Sequence, residues 1–393
     1  MNTTPSVVVP KRALLFGLSV LLLFGAILLG AGCRSSPPED EVIRLGAILP
    51  LTGEAAQYGK NDREGIDLAV SLANEAGGID GRRIEVSYED CRTDAKTALA
   101  AFTKLRAAGV SLFIDNAIST ISLAMVPLLE QNQSVLMSTG ASNPALSGSS
   151  PWFFRIWNSD SFEGRIAAEY LLRVAPEARV AILYINSDYG KGLQQVFSGI
   201  LAGAAARIVA AESFEKDTRD FRSQIAKIRA ASPTHIYLVG YGAQTGPATR
   251  QIREAGVQAA IIGTVAMEDA GYLALAGPAS EGVVYPFARA PQGEAVEKFK
   301  DAFRARYARE PELLHDCGFD AANLFIEAFR GGARSAAEVR AFLANLRGFP
   351  GASGEISFDA NGDVSKPMEM RVIRDGEFVP LTGSEGESGA VPG

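Results

Sequence analysis

Two histidines and three cysteines are what this 393-residue chain offers to metal or thiol chemistry. His235 lies beside a run that reads as a buried strand and His315 near a helix start. Neither has a second ligand at helical spacing, so both read as core or surface residues. No serine sits in a Gly-x-Ser-x-Gly elbow, and no Walker phosphate loop occurs. Gly240-Tyr241-Gly242 with Gly246 imitates a dinucleotide turn, but the spacing is too long. Asp359, Asn361 and Asp363 imitate the start of a calcium loop. The position that needs glycine is Val364 and the closing acid is Met370, so a hairpin turn is expected there. With no catalytic constellation, metal site or cofactor motif, the chain is expected to bind a small molecule and not to be an enzyme.

Binding residues are sought where strands end, because an open parallel sheet presents its ligand-contacting loops there. Three loops qualify: Leu51 to Gly59, Asn116 to Ser119, and Ser138 to Pro144. The last two open helices, with Asn143 at a cap position and Pro144 at a first helical position. Small residues there would turn backbone N–H groups and hydroxyls toward an anion such as a carboxylate. Ser119 and Asn143 serve equally well as plain helix caps, and periodicity does not separate the two readings.

The elements that must hold these loops alternate. Ile43–Leu49, Ile84–Tyr88, Val110–Ile114 and Val135–Ser138 read as strands, with apolar-faced helices over 61–76, from Asp94 to Gly109, and over 119–131. The rhythm returns after Trp157. Helices at 162–174, 191–204, 219–231 and 245–255 alternate with strands at 179–185, 207–213, 235–239 and 259–263. Two such blocks predict an α/β protein of two lobes with helix-covered parallel sheets. Helices at 293–308, 317–330 and 335–346 are left over to cover one lobe. A composition of 47% hydrophobic and 21% charged residues excludes a disordered chain. The formal charge of −7, with no basic stripe, argues against a nucleic-acid partner.

The first residues read as an address. Lys11 and Arg12 precede an apolar stretch from Ala13 to Gly32. It ends in Leu28-Leu29-Gly30-Ala31-Gly32-Cys33, which resembles a bacterial lipoprotein signal with Cys33 as the lipidated residue. Gly30 departs from the usual leucine of such signals. Plain secretion and a retained membrane helix are the alternatives. Residues 1–32 are thus expected to be a signal peptide and 33–42 a tether. The Gly/Ser/Glu-rich segment 381–393 is expected to be a disordered tail.

An ordered set of motifs then resembles the leucine/isoleucine/valine-binding protein family, the ligand-binding components of branched-chain amino acid ATP-binding-cassette (ABC) importers. The set runs Gly46-Ala47-Ile48-Leu49-Pro50-Leu51-Thr52-Gly53, Tyr58-Gly59, Asn74-Glu75-Ala76-Gly77-Gly78-Ile79-Asp80-Gly81-Arg82 and Thr139-Gly140-Ala141-Ser142-Asn143-Pro144. It continues with Asp188-Tyr189-Gly190-Lys191-Gly192, Gly318-Phe319-Asp320-Ala321 and Gly354-Glu355-Ile356-Ser357-Phe358-Asp359. The resemblance implies a type I periplasmic binding fold: two doubly wound lobes joined by three hinge crossings, with the ligand between them. The crossings are expected near Asn158–Ser161, Pro286–Arg289 and Gly362–Lys366. One lobe would comprise 43–159 and 288–365, the other 160–287 and 366–380.

Carried over position by position, the resemblance implies a ligand site of Tyr58, Ser119, Gly140, Ala141, Ser142, Tyr189 and Tyr241. The family's ammonium-pairing acid falls on Val265, so Glu268, Asp269 or Asp160 would have to supply that charge. It further implies a monomer outside the cytoplasm, lipid-anchored to a membrane, serving an ABC permease. The alternative is a sensory module of the same fold that binds an amide, urea or aromatic acid. Its common first-lobe disulfide would need a cysteine near Ile118. Here the alternatives are a Cys91–Cys317 bridge in an oxidising compartment and two separate thiols.

Overall fold

The computed structural model describes Met1 and residues 42–381. The rest of the leader, Cys33, the tether up to Glu41 and the tail beyond Leu381 lie outside the described residues.

β-Branched and apolar runs form the first sheet. It contains β1 (Val42–Leu49), β2 (Arg83–Asp90), β3 (Leu112–Asp115), β4 (Val135–Ser138) and β5 (Phe153–Arg155). Their order is β2-β1-β3-β4-β5, with β1, β3, β4 and β5 parallel. β3 and β4 are buried at every residue, as strands covered on both faces must be. The covering helices here are α1 (Ala56–Glu75), α2 (Ala95–Ala107) and α3 (Ser119–Leu129). α1 begins earlier than its apolar face suggests, because Ala55 offers no side-chain cap to mark the start.

The second sheet is built likewise. α4 (Asp160–Val174), α5 (Asp188–Leu201), α6 (Arg222–Ala230), α7 (Gly242–Glu254) and α8 (Ala270–Ala276) alternate with β6 (Arg179–Ile185), β7 (Arg207–Phe214), β8 (His235–Val239), β9 (Ala260–Ile262) and β10 (Val284–Ala288). The chain then returns to the first lobe as α9 (Glu294–Tyr307), α10 (His315–Arg330), α11 (Ala336–Ala344) and a small hairpin, β11 (Phe349–Gly351) with β12 (Gly354–Ile356). It closes as β13 (Met368–Arg374) and β14 (Glu377–Pro380), which extend the second sheet antiparallel to order β14-β13-β10-β9-β8-β6-β7. The main chain therefore passes between the sheets after β5, after β10 and before β13, the three crossings expected of a type I periplasmic binding fold. Among the described residues no helix is long and apolar enough to cross a membrane.

The crossings are laced together. Asn158 Nδ2 donates to the Lys366 carbonyl at 2.8 Å, and Lys366 N–H donates back to Asn158 Oδ1 at 2.7 Å. Arg289 N–H donates to the Pro367 carbonyl at 2.8 Å. Segment 359–363 is a turn, but not the expected hairpin turn. Asp359 Oδ1 accepts the Asn361 and Asp363 amides, and β12 and β13, on either side, belong to different sheets. Its Gly362 carbonyl receives the Arg155 amide, which anchors the turn to β5. The helix expected after Asn143 is only a three-residue 3₁₀ turn, Pro144–Leu146.

α1 and α10 cross with backbone against backbone. A Cβ on Gly65 would lie 2.1 Å from the His315 carbonyl oxygen, and one on Gly318 would lie 2.4 Å from that of Asp62. Neither contact can relax by moving a side chain, so Gly65→Ala should cost about 1–3 kcal/mol or more. The urea midpoint measures this, and an unchanged midpoint would show that the two helices can separate there freely.

Candidate functional site

The loops at the strand ends meet loops of the second lobe around a small cavity. It measures about 40 Å³ and is lined by Tyr58, Gly140, Ser142, Tyr189, Tyr241 and Val265, completed by Ala117, Trp157, Ala266, Leu313 and Leu314. Tyr58 stands in the first turn of α1, Tyr189 in that of α5, and Tyr241 immediately before α7. Tyr189 and Tyr241 stack with ring centroids 5.2 Å apart, and Tyr58 meets Tyr241 edge-on at 6.1 Å. Such a wall suits an apolar or planar ligand body. Burial pushes all three phenols above their ordinary range, so they stay neutral hydrogen-bonding groups.

The opposite wall is formed by the 140–143 loop and the Ser119 hydroxyl behind it. Ser119 is fully buried; its Oγ accepts the amides of Ser142 at 3.3 Å and Asn143 at 3.2 Å. It therefore shapes the 140–143 loop and does not cap its own helix, whose cap position is Ile118. Ser119 itself is not among the residues that line the cavity. Ser142 lines the cavity directly, whereas Ala141 is buried behind it. Gly140 has no room for a side chain, since a Cβ would lie 2.7 Å from that of Ala117.

Arg155 holds this loop from below. Its Nη1 donates to the Asn143 carbonyl at 3.0 Å and the Ala141 carbonyl at 3.4 Å. Its Nε and Nη2 grip Asp363 at 2.7 and 2.9 Å. Asn143 caps the 3₁₀ turn by accepting the Ala145 amide at 2.8 Å, and its Nδ2 reaches the Asp188 carbonyl of the second lobe at 2.6 Å. Tyr58 Oη donates to Asp269 Oδ2 across the cleft at 3.3 Å.

Val265, at the position where an acid was sought, places an apolar side chain on the cavity. The two nearby acids are engaged elsewhere. Glu268 pairs with Arg371 and accepts from Tyr285 Oη, facing a neighbouring cavity of about 370 Å³. Asp269 caps α8 through the Gly271 amide. Asp160 is different: it is fully buried, its own amide donates to the Ser142 carbonyl at 2.7 Å, and neither carboxylate oxygen has a hydrogen-bond partner. Burial raises its pKa to about 7, opposed by the nearby Ser142 hydroxyl and Arg155 guanidinium. Glu163, one turn further on, also lies well above its ordinary range, through burial first and the Asp160 charge second. Glu163 escaped the sequence reading because an acid in a first helical turn ordinarily answers the helix dipole. The apolar lining of Leu313, Leu314, Ala117 and Ala266 carried no local signal at all. Cys91 and Cys317 are both free, buried thiols, so the bridge between them is not formed.

Comparison with known proteins agrees with this geometry. The family described as periplasmic binding protein matches residues 42–377. The chain is 28% identical over 343 residues to Leu/Ile/Val-binding protein homolog 2 of Brucella abortus strain 2308, covering 85% of this chain and 91% of that protein. Among solved structures it is similar to the branched-chain amino acid transporter substrate binding protein LivJ of Streptococcus pneumoniae in complex with isoleucine. That match has 28% identity and a TM-score of 0.78 over 86% of this chain and 97% of that one. The leucine binding protein LivK of Thermotoga maritima matches at 25% identity and the same TM-score of 0.78, over 86% and 98% of the two chains. A doubly wound pair of sheets, three crossings and a cleft at the strand ends thus coincide with a family match along nearly all of the described chain, which belongs to the periplasmic binding protein family.

Proposed function

We propose that this chain is an extracytoplasmic substrate-binding lipoprotein of an ABC importer that carries a branched-chain amino acid or a similar small carboxylate to its permease. The observation that carries the ligand class is the pairing of two walls: the Ser119-shaped loop with Ser142 for a carboxylate, and Tyr58, Tyr189 and Tyr241 for an apolar body. The relatives named for leucine, isoleucine and valine support the same class. In this reading residues 43–159 with 288–365 form one lobe and 160–287 with 366–380 the other, and they close on the ligand as a hinge. Cys33 is the lipid-bearing residue, and mass spectrometry of the mature N-terminus tests it; an unmodified chain that retains Met1 would refute the anchor.

The ligand is found by a thermal-shift and calorimetric screen of amino acids, amides, ureas and aromatic acids. At 100 times its dissociation constant, a true ligand stabilises the fold by about 2.7 kcal/mol. A response only to amides, ureas or aromatic acids would favour a different ligand class on the same fold. Ser142→Ala should weaken binding of the ligand so found by roughly 10- to 100-fold, since a hydrogen bond to a charged group contributes about 1.5–3 kcal/mol. Ser119→Ala should do the same and also loosen the 140–143 loop. Unchanged affinity in the double variant would remove both serines from the site.

A further inference from the structure

Behind the tyrosine wall lies a polar cluster that the fold does not neutralise. Asp160 and Glu163 are spaced one helical turn apart on α4, so they share a face. Both are buried, at 0% and 1% exposure. Glu163 Oε1 accepts the Val265 amide at 3.0 Å, which sets this carboxyl directly behind the cavity lining. Asp160 is tied through its own amide to Ser142, on the cavity's other wall. Both oxygens of Asp160 lack a partner, and so does the hydroxyl of Tyr237, fully buried on β8. A buried polar atom without a partner costs about 1–3 kcal/mol, and more when charged. Three such atoms in one neighbourhood, beside a cavity built for a ligand, mark a site that something else completes.

The missing complement is a cation. Arg155 is the guanidinium that acts on Asp160, but its own donors are taken by Asp363, Ser147, Ala141 and Asn143. The other groups that feel the pair are neutral phenols: Tyr189 from α5, Tyr237 from β8 and Tyr241 before α7. β13 packs against α4 through Met368, Met370 and Val372, which meet Ile166 and Phe162. β10 meets the same cluster through Val284, and among the described residues the groups found to act on the pair include no free positive charge. Two carboxyls so close, so buried and so poorly countered cannot both ionise while the cleft is empty.

We propose that the Asp160–Glu163 pair is this protein's recognition site for a cationic ligand nitrogen: both carboxyls are protonated in the empty cleft, and filling the site releases the Asp160 proton to solvent while Glu163 keeps its own. The inference rests on the small-carboxylate reading above. A carboxylate at Ser142 would put the ammonium of the same α-amino acid within reach of the adjoining Asp160. Glu163 stays protonated and lets Asp160 carry the single negative charge. The ligand's affinity then rises with pH, by up to about tenfold per unit, until the pair ionises unaided.

Calorimetry of the full chain tests this with leucine, isoleucine and valine, each compared with its 2-oxo acid. In wild type, titrations near pH 6.5 in buffers of different ionisation enthalpy should show about one proton released per amino acid bound and none for the oxo acids. Asp160→Asn should weaken the amino acids by roughly 10- to 100-fold and leave the oxo acids within about twofold. Glu163→Gln, which imitates the protonated acid, should retain amino-acid binding, proton release and the pH dependence, whereas Asp160→Asn should abolish the proton release. Equal losses for amino and oxo acids in Asp160→Asn, or no proton release by wild type, would overturn the pair's role while the small-carboxylate reading stands. Oxo acids binding where amino acids fail would do the same. If the wild type binds neither set, both inferences fall together. The proton count is read on the unmutated protein, so a variant that fails to fold does not remove the test.

Discussion

Arg155→Met is expected to destabilise the protein by about 3–5 kcal/mol and to weaken ligand binding as well. The guanidinium is fully buried, and its partner Asp363 has a side chain only 13% exposed. Removing one member of a buried pair leaves the other charge without compensation, which costs far more than the pair itself contributes. Here the loss is compounded, because Arg155 also donates to the Ala141 and Asn143 carbonyls and to Ser147 Oγ. Those carbonyls fix the loop that carries Ser142, so the effect reaches the cleft. A cycle of Arg155→Met, Asp363→Asn and the double variant, followed by urea denaturation, should show strong non-additivity, with the double variant well above the sum of the singles. A loss below about 1 kcal/mol in Arg155→Met would mean that the pair behaves like a solvated surface bridge.

That pair also shows where sequence reading stops. Strands such as Leu112–Asp115 and Val135–Ser138 were legible because double burial leaves a continuous apolar run, and Asp94 marks a helix start by ordinary capping. Tyr58, Tyr189 and Tyr241 were singled out through family motifs, and they share one cavity. Arg155 and Asp363 lie 208 positions apart and leave no periodic trace. Ser119 was read as either a cap or a ligand group. Its Oγ in fact accepts amides from the neighbouring loop, an arrangement set by tertiary packing and invisible to local spacing. Glu268 and Asp269 looked available because sequence shows where a charge sits along the chain, not which partner has already taken it. Arg371 and the Gly271 amide had taken those two. Asp160 and Glu163 are the reverse case: a first-turn position shows neither how deeply the fold buries both nor that the Asp160 oxygens go without a partner.

The same excess of buried acid makes an unusual pH dependence the second large effect. Burial raises Asp115 and Asp160 to about 7 and Asp320 to about 6. Glu163 and Asp62 lie higher still than their ordinary range, for the same reason. In the unfolded chain these groups titrate near about 4. Between roughly pH 4 and 7 the folded state therefore holds more protons than the unfolded one, and stability falls as pH rises through that window. Each group contributes a slope of at most about 1.4 kcal/mol per pH unit. His235, lowered by burial, opposes this with a single proton. Asp90, half-buried, and the exposed Asp94 and Asp220 are lowered carboxyls, and their contribution is lost only below about pH 4. The empty protein should be most stable near about pH 4 and lose several kcal/mol by pH 8, which chemical denaturation at unit pH steps will measure. Asp115→Asn isolates one term. Ser122 Oγ donates to Asp115 Oδ2 at 2.6 Å, and an amide oxygen can accept the same bond. The variant should match wild type near pH 4 and exceed it increasingly up to pH 7, by about 4 kcal/mol there, with no further gain at pH 8, because the folded carboxyl is ionised above about 7. Stability that rises from pH 5 to 8 would show instead that these acids are ionised in the fold and stabilised there. A bound amino acid should offset the loss at Asp160, the carboxyl proposed to pair with its ammonium, but leave that at Asp115, which is held by Ser122.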